Sequence, residues 1–263
     1  MRHTPLLTLT VLGCGLLWPA QQLLAQTPIT SATVRRVVNQ VGIRRGGSSW
    51  KPAQVNDPLS RGDALRTRIK SRSDVQLNDG SLARLGELSV WNFVPGTRDQ
   101  VLQSGTGLFL IRPGQGPSRI KTPYGSAGIR GSALFVRVNE ETQTTIVGAL
   151  TNNPQGPMEI TTPDGKQVLP INAGQMAIVQ NNQVSVVDFD LRTFYRTSSM
   201  VEGLDLQGTS GQVNEDPAIA AVQAETIAAL GTQSPLTAQD VAASPVLLSA
   251  PQPRPLQSWP AGL

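Results

Sequence analysis

The chain has 263 residues with one histidine and one cysteine. A single cysteine excludes an internal disulfide, and a chain of this length can bury a stable core without one. The charge divides unevenly, because residues 26–200 hold 20 Lys and Arg against 12 Asp and Glu, whereas residues 201–263 hold one against six. The basic part could therefore attract the acidic part or an acidic partner.

Residues 1–25 are predicted to be a signal peptide. The basic Arg2 precedes an apolar run from Leu6 to Trp18, and Ala25 is a small residue at a suitable cleavage point. The run is shorter than the about 20 apolar residues that a transmembrane helix requires. We therefore expect a periplasmic or secreted protein without a transmembrane segment in its mature chain.

An alternative for the same end is a lipoprotein signal. Residues 11–14, Val-Leu-Gly-Cys, resemble the motif in which the cysteine becomes the lipidated first residue, so Cys14 could anchor the chain to a membrane. Cleavage after Ala25 would instead remove Cys14 and His3, the only thiol and the only imidazole. Nucleophilic systems built on Ser-His or Cys-His pairs, and zinc sites built on these residues, are then excluded.

Residues 33–190 predict an all-β domain in which turn signals separate short strands. The dipeptides at 79–80, 164–165 and 181–182 (Asp-Gly, Asp-Gly and Asn-Asn) each lie between two such strands, as in hairpins whose turns need positive φ angles. Apolar residues alternate over 133–138, which is typical of a half-buried strand. We expect a short-stranded two-layer sandwich or a solenoid-like roll.

The composition changes after the all-β domain. Residues 191–216 are rich in Ser, Gly and other polar residues and predict a linker. Asp216 then offers an N-cap and Pro217 a first-turn proline, so residues 217–231 predict a short amphipathic helix. Residues 232–263 carry several prolines and predict a proline-rich tail of low order.

Four cations alternate along the chain, at Arg66, Arg68, Lys70 and Arg72. Alternate residues of an extended segment share one face, so we expect these side chains to form a basic strip. The strip could bind an anionic cell-envelope polysaccharide or lipid headgroups, or it could be a solvated strand face whose charge discourages edge-to-edge pairing. Nucleic acid is not an expected partner, because no aromatic residues interleave with the cations for base stacking.

Paired carboxylates are the remaining candidates for catalysis. Glu140 and Glu141 fall in a predicted turn, and Asp188 and Asp190 follow a predicted strand, so neither pair is expected to face one cleft. No dense Asp/Asn loop offers the six or more oxygen ligands that calcium requires. We therefore predict no catalytic residue, no metal site and no cofactor. Among the aromatic residues, Trp50 follows a glycine-rich loop, and its exposure is therefore of interest.

Several short motifs follow one another between about residue 61 and residue 179. They comprise Gly62 and Asp63; Asp79, Gly80 and Ser81; Gly107 and Phe109; Thr122 and Pro123; Gly131, Ser132 and Phe135; and Gly174 and Gln175. In this order they resemble the FecR domain family, which has a Gly-Asp step, an Asp-Gly-Ser turn, a Gly-x-Phe strand, a Thr-Pro segment and a closing Ala-Gly-Gln turn. Ser132 stands where the family usually has threonine, a change that keeps the hydroxyl group.

The resemblance implies an all-β exported module, named for a periplasmic regulator of iron-citrate uptake. In that regulator the domain senses an outer-membrane transporter and controls a cytoplasmic sigma factor through a membrane helix. This sequence predicts neither a cytoplasmic segment before its signal nor an internal transmembrane helix, so anti-sigma action is not expected to carry over. We expect a non-enzymatic module for protein binding, sensing or scaffolding at the cell envelope, with another envelope protein as its partner.

Overall fold

The computed structural model of the protein describes residues 27–153 and 155–236. The predicted signal peptide with Cys14, and most of the predicted proline-rich tail, lie outside these residues. The described part contains 17 β-strands and two α-helices, so the predicted all-β class with a short C-terminal helix is confirmed. The strands are β1 (Ala32–Val38), β2 (Val41–Arg44), β3 (Lys51–Pro52), β4 (Pro58–Leu59), β5 (Ala64–Thr67), β6 (Arg72–Leu77), β7 (Leu82–Leu85), β8 (Val90–Asn92), β9 (Asp99–Ile111), β10 (Ser118–Thr122), β11 (Gly125–Ile129), β12 (Ser132–Asn139), β13 (Thr144–Ala149), β14 (Met158–Thr161), β15 (Val168–Ile171), β16 (Gln175–Gln180) and β17 (Gln183–Asp188), and the helices are α1 (Leu191–Thr197) and α2 (Pro217–Thr232).

Hydrogen bonds connect all 17 of these strands, and the ladder divides into two sheets that share the long strand β9. We call the first the central sheet; its strand order is β4-β1-β6-β7-β9-β12-β13-β16-β17. The second is the outer sheet, with the order β3-β2-β5-β8-β9-β10-β11-β14-β15. The described pairings are antiparallel except for the one between β9 and β10.

Strand β9 changes sheets halfway along its length. Its first residues pair with β8 and β10 of the outer sheet, and the residues from Gly105 to Ile111 pair with β7 and β12 of the central sheet. Gly105 has a φ angle of +79°, and a Cβ atom there would lie 2.5 Å from the carbonyl oxygen of Leu88. The positive φ and the close backbone approach together require glycine where the strand leaves one sheet for the other.

One apolar core fills the space between the two sheets. Phe109 and Val136 of the central sheet meet Ile43, Leu65 and Trp91 of the outer sheet there, and Trp91 and Leu65 have no exposed surface. Two sheets that pack face to face over a shared core form a two-layer arrangement, the first of the two alternatives that the sequence leaves open.

A second apolar core covers the other face of the central sheet. It joins Leu108, Phe135 and Met176 of that sheet to both helices and to the segment between them. All six residues of β13 are buried, and β12 is buried nearly throughout. The strand at 133–138 is therefore not half-buried as its alternation predicts, because C-terminal residues cover its second face.

The segment at 191–216, which is predicted to be a linker, contains α1 and contributes Met200, Val201, Leu204 and Leu206 to the second core. Most of its apolar residues face the central sheet, Val213 being exposed, while its polar residues form turns at the surface. The segment is therefore part of the packed domain.

The three predicted hairpins form, but with different turns. Both residues of Asn181–Asn182 have positive φ angles, 52° and 58°, as a type I′ turn requires. At the other two hairpins only the glycines have positive φ angles, Gly80 at +85° and Gly165 at +70°. Their loops are longer than two residues, so a single glycine in the left-handed region suffices.

Candidate functional site

The four cations of the predicted basic strip lie on two different sheets. Arg66 is in β5 of the outer sheet, Arg72 begins β6 of the central sheet, and the chain turns between them with Lys70 at a φ angle of +55°. The alternation at these positions predicts one extended face, but the chain passes from one sheet to the other within this segment. The four side chains therefore do not form a single strip.

Arg72 is engaged by the C-terminal segment. Its guanidinium donates a hydrogen bond to the carbonyl oxygen of Ser199 at 2.8 Å and pairs with the Glu202 carboxylate at 3.2 Å. The Glu202 side chain is 73% exposed, so solvent weakens this ion pair. Arg72 thus helps to fasten the segment between the helices to β6.

Arg66 belongs to a different group, which we call the arginine–tryptophan cluster: Arg44, Trp50, Arg66 and Arg68. The Arg66 guanidinium lies 4.4 Å and the Arg44 guanidinium 5.0 Å from the ring centroid of the half-buried Trp50. Both arginines project from the solvent face of the outer sheet, because their neighbours Ile43 and Leu65 face the core. Two cations over one indole ring gain cation–π stabilisation.

The charges of the arginine–tryptophan cluster repel one another. Burial lowers the pKa of Arg66, and the nearby positive charges of Arg68 and Arg44 lower it further. An anion placed beside the ring would relieve this repulsion. The sequence pattern predicts Arg66 and Arg68 as binding residues but does not include Arg44. Its sequence signal is a cation at the end of a strand, followed by a glycine turn that could bring Trp50 back over the sheet.

Asp63 of the Gly-Asp motif holds a loop together. Its carboxylate accepts hydrogen bonds from the backbone amides of Ser60 at 2.9 Å and Gly46 at 3.1 Å, and pairs with Arg45 at 2.9 Å. Burial alone would raise the pKa of Asp63, but these hydrogen bonds and the Arg45 charge hold it below its ordinary value. The same loop carries Trp50, so Asp63 acts indirectly on the arginine–tryptophan cluster.

The Asp-Gly-Ser turn closes around a buried ion pair. The Asp79 carboxylate accepts from the Ser81 amide at 2.9 Å and pairs with the Arg98 guanidinium at 2.7 Å, and both charged side chains are almost fully buried. Ser81 Oγ accepts from the Arg112 amide at 3.0 Å. These residues are satisfied inside the protein and leave no polar group directed at a ligand.

The Thr-Pro segment forms the turn between β10 and β11. Thr122 Oγ1 donates to the carbonyl oxygen of Gly125 at 2.9 Å and accepts from the amide of Tyr124 at 3.2 Å across Pro123. It also lies 2.6 Å from the Thr145 hydroxyl of the central sheet. The threonine hydroxyl thereby joins the outer sheet to the central sheet.

Two glycines of the family motifs lie where the backbone approaches other groups closely. Gly131 has a φ angle of +107°, and a Cβ atom there would lie 2.7 Å from Cα of Pro113. Gly174 has a φ angle of +83°, and its Cβ atom would lie 2.5 Å from the side-chain nitrogen of Gln233. Ser132, next to Gly131, is fully buried.

The remaining motif positions serve packing and turn formation. A Cβ atom at Gly107 would lie 2.7 Å from the ring of Phe109, which fills the core between the sheets. Phe135 faces the second core and stacks on Phe194 of α1, with ring centroids 5.0 Å apart. Gln175 accepts a hydrogen bond from the Asn172 amide at 3.0 Å and so closes the last turn before β16.

A buried ion pair that sequence reasoning missed connects the central sheet to the C-terminal segment. Arg84 is 1% exposed and binds both carboxylate oxygens of Asp74, at 2.7 and 2.8 Å. Its third nitrogen donates to the carbonyl oxygens of Met200 and Glu202, at 3.1 and 2.8 Å. The Asp-Gly hairpin offered the signal, because its register places Asp74 opposite Arg84.

The predicted carboxylate pairs are separated in function. Asp190 is the N-cap of α1 and accepts from the Thr193 amide at 2.6 Å, while the Asp188 carboxylate lies 3.4 Å from the side-chain nitrogen of Gln175. Glu140 and Glu141 lie in the turn between β12 and β13. Within residues 27–153 and 155–236, no group of three or more His, Cys, Asp or Glu residues could hold a metal ion.

Comparison with known families and sequences gives one clear match. Residues 63–153 match the family model described as FecR protein. The predicted Gly174 and Gln175 motif lies beyond the matched region. No curated protein matches the chain. In the described part, neither helix is long and apolar enough to cross a membrane.

Two crystal structures of a "putative anti-sigma factor" from Parabacteroides distasonis ATCC 8503 are similar to the chain at 18% and 17% identity. The alignments cover 49% and 51% of this chain, with TM-scores of 0.42 and 0.43. They cover 61% and 64% of the other chains, which is less than two-thirds of their length. Similarity at this level carries no argument about function. The family match stands independently of it: residues 63–153 match the FecR protein model, so the resemblance predicted from the sequence motifs is confirmed over that region.

Proposed function

We propose that the chain is a non-enzymatic FecR-domain module that binds another protein at the cell envelope, as a sensor or a scaffold. The observation that carries this proposal is the family match over residues 63–153. Resemblance to that family implies a regulatory role exerted through binding. The proposal places the chain in the periplasm or outside the cell, after removal of the predicted signal peptide.

The distribution of polar groups supports a binding role. Two buried ion pairs lie within the domain, Arg98 with Asp79 and Arg84 with Asp74, each with a nitrogen–oxygen distance of 2.7 Å. Charges that are paired and buried in this way have their partners inside the folded domain. Recognition would then fall to the exposed surface.

Photocrosslinking in intact cells tests the proposal. A photoreactive amino acid would replace one of three apolar residues that are each 55% exposed: Ile69 in the loop between β5 and β6, Val168 on β15, or Ile227 on α2. A protein partner contacts one face, so we expect one position to give an adduct with a defined envelope protein and the other two to serve as matched controls. Absence of a protein adduct from all three faces would contradict the proposal.

The mass of the mature N-terminus tests the location. Cleavage after Ala25 gives a chain that begins at Gln26, whereas lipidation gives a chain that begins at a modified Cys14. Either result supports export and separates the soluble form from the lipid-anchored form. A mature chain that retains Met1 and an unmodified Cys14 would contradict export.

The arginine–tryptophan cluster favours a second candidate, direct binding of an anionic ligand to the outer sheet. An acidic polysaccharide such as alginate is a suitable probe, because binding through surface cations weakens as salt rises. We expect Arg44→Ala and Arg66→Ala to reduce retention on the probe, and Lys166→Ala, whose side chain is 82% exposed on a distant turn, to leave it unchanged. Equal retention of all three variants would remove this candidate.

A further inference from the structure

Each of the two sheets ends in two edge strands, and three of these four strands carry a proline. Strands β3 (Lys51–Pro52) and β4 (Pro58–Leu59) have only two residues each, and β15 contains Pro170. An unpaired edge can pair with another chain, and short length and proline are common protections against this.

The fourth edge strand, β17, has none of these protections. It runs for six residues, Gln183–Asp188, without a proline, a lysine or an arginine. Among the described strands it pairs only with β16. Its residues are exposed or half-buried, so the edge is accessible in the described part of the chain.

The turn before β17 determines which of its backbone groups face outward. A two-residue turn makes the flanking pair, Gln180 and Gln183, a hydrogen-bonded pair, and the pairs then alternate along the ladder. The N–H and C=O groups of Val184, Val186 and Asp188 therefore point away from β16.

Two observed hydrogen bonds agree with this assignment. The Phe189 amide donates to the carbonyl oxygen of Gly174 at 2.8 Å, as the alternation requires two residues beyond Val187. The Val184 amide donates outward, to the side-chain oxygen of Gln167 at 3.1 Å. No hydrogen bond within the described residues uses the outward amides of Val186 and Asp188.

The neighbouring edge strand, β15, shows how an outward-facing backbone amide can be removed by a proline. In the turn that precedes β15, the Thr162 amide donates to the Gln167 carbonyl oxygen at 3.1 Å, which makes Val168 and Pro170 the outward-facing residues of β15. Pro170 therefore replaces an outward amide, the one place where proline leaves the ladder intact. Strand β17 keeps its amide at the corresponding kind of position, Val186.

The side chains of β17 indicate what an added strand would carry. Val184 and Val186 pack against the core between the sheets, and Val187 packs against the second core. Residues opposite them on an added strand would extend both apolar layers, alternately to one side and the other. The fit is therefore to an extended chain with β-branched side chains on both faces and no charge at its centre.

We propose that β17 is a strand-addition site for an extended segment of a partner protein. A row of alternating amide and carbonyl groups is matched by the backbone of another strand, and the flanking valines select uncharged, β-branched residues. This inference rests on the proposed function, because it identifies the surface through which the module would bind a protein.

The probe for this site is a synthetic peptide of nine residues in which valine and threonine alternate, with lysine at each end and both termini blocked. We expect the peptide to bind and to slow hydrogen exchange at the amides of Val186 and Asp188. The amides of Ser185 and Val187 already bond to β16 and should not change. This every-second-residue pattern distinguishes strand addition from adhesion to an apolar patch.

Two changes then remove the added hydrogen bonds. Val186→Pro deletes an outward amide and should weaken peptide binding at least about fivefold, the ratio that corresponds to the about 1 kcal/mol that a backbone hydrogen bond contributes. Val168→Pro on β15 is the matched control and should bind as the unmodified protein does. A peptide N-methylated at the residues that face β17 should fail to bind the unmodified protein, which tests the site even if Val186→Pro disturbs folding.

Four results would overturn the inference. They are no binding at millimolar peptide, peptide-induced protection that leaves Val186 and Asp188 unchanged, unchanged binding by Val186→Pro, and a self-associated protein in which these two amides are protected without peptide. The last result would assign the edge to a second copy of this chain. If crosslinking finds an envelope partner but the peptide does not bind, the strand-addition site is refuted and the proposed function stands. If the peptide binds but crosslinking finds no partner, the proposed function is refuted and the strand-addition site stands.

Discussion

The central sheet and the outer sheet are built from similar short strands, but they differ in what covers them. The outer sheet packs one face on the shared core and presents the other to solvent, where the arginine–tryptophan cluster lies. The central sheet is covered on both faces, because residues 189–230 pack against the side that is turned away from the outer sheet. Strand β13 is consequently buried at every position, whereas in β14 the buried Met158 and Ile160 alternate with the exposed Glu159 and the half-buried Thr161.

This difference shows that the C-terminal segment completes the domain. The FecR match ends at residue 153, yet the second face of the central sheet is apolar and is covered only by later residues. A sheet that is buried on both faces needs a covering layer on each side. Mutations that detach this segment should therefore destabilise the central sheet and leave the solvent face of the outer sheet unaffected.

The largest effect is expected from Arg84→Ala. The change leaves the Asp74 carboxylate buried without its partner and removes the donor to the carbonyl oxygens of Met200 and Glu202. Breaking a buried pair in this way costs about 3–5 kcal/mol of unfolding free energy, measured by urea denaturation. The control is Arg119→Ala on the outer sheet, an exposed position that should change stability by about 0.5 kcal/mol or less. Equal effects would show that Arg84 does not hold the C-terminal segment.

A somewhat smaller effect is expected from Leu204→Ala, within the segment at 191–216 that is predicted to be a linker. Leu204 is 4% exposed in the second core, so its truncation should cost about 2–5 kcal/mol. Val213→Ala in the same segment alters a side chain that is 80% exposed and should have little effect. A true linker would tolerate both changes, so similar unfolding midpoints for the two variants would refute the packing described for this segment.

The features that the sequence predicted are local, and those that it missed are not. The turn at Asn181–Asn182 and the helix start at Asp216 depend on the φ preferences and capping of a few adjacent residues. The transfer of β9 between sheets depends on contact with the Leu88 loop, which no periodicity reveals. The contact of Arg84 with Met200 spans 116 residues, and the arginine–tryptophan cluster depends on a loop that returns over its own sheet.

A modest effect is expected at the start of α2. Asp216 accepts from the Ala218 amide at 2.9 Å and from the side chain of Gln76 in β6 at 3.0 Å, so it both caps the helix and contacts the central sheet. Asp216→Ala should lower the unfolding free energy by about 0.5–2 kcal/mol. Glu215→Ala, one residue earlier and exposed, removes the same charge without the cap and should leave the melting temperature nearly unchanged. A cap that stabilises only by charge would give the two variants the same melting temperature.

The smallest effect is expected from the ionisation of Glu225 in α2. The direction in which it makes the unfolding free energy depend on pH shows whether burial or hydrogen bonding dominates where α2 meets the central sheet. Burial raises the pKa of Glu225, although the Thr151 hydroxyl donates to its carboxylate at 2.8 Å and opposes the shift. The folded protein therefore holds this proton more tightly than the unfolded chain does. The contribution of Glu225 to stability is then most favourable below its unfolded pKa and declines as the pH rises through the folded value.

Glu225→Gln keeps an oxygen that can accept from Thr151 and removes the titration. The unfolding free energy of the variant minus that of the unmodified protein should therefore increase as the pH rises from about 4 and should become constant once the carboxyl has ionised in the folded state. Urea denaturation at several pH values between about 4 and 8 measures this difference. A difference that decreases with pH would mean that hydrogen bonding to the carboxylate outweighs burial, and that α2 meets the central sheet through a solvated boundary.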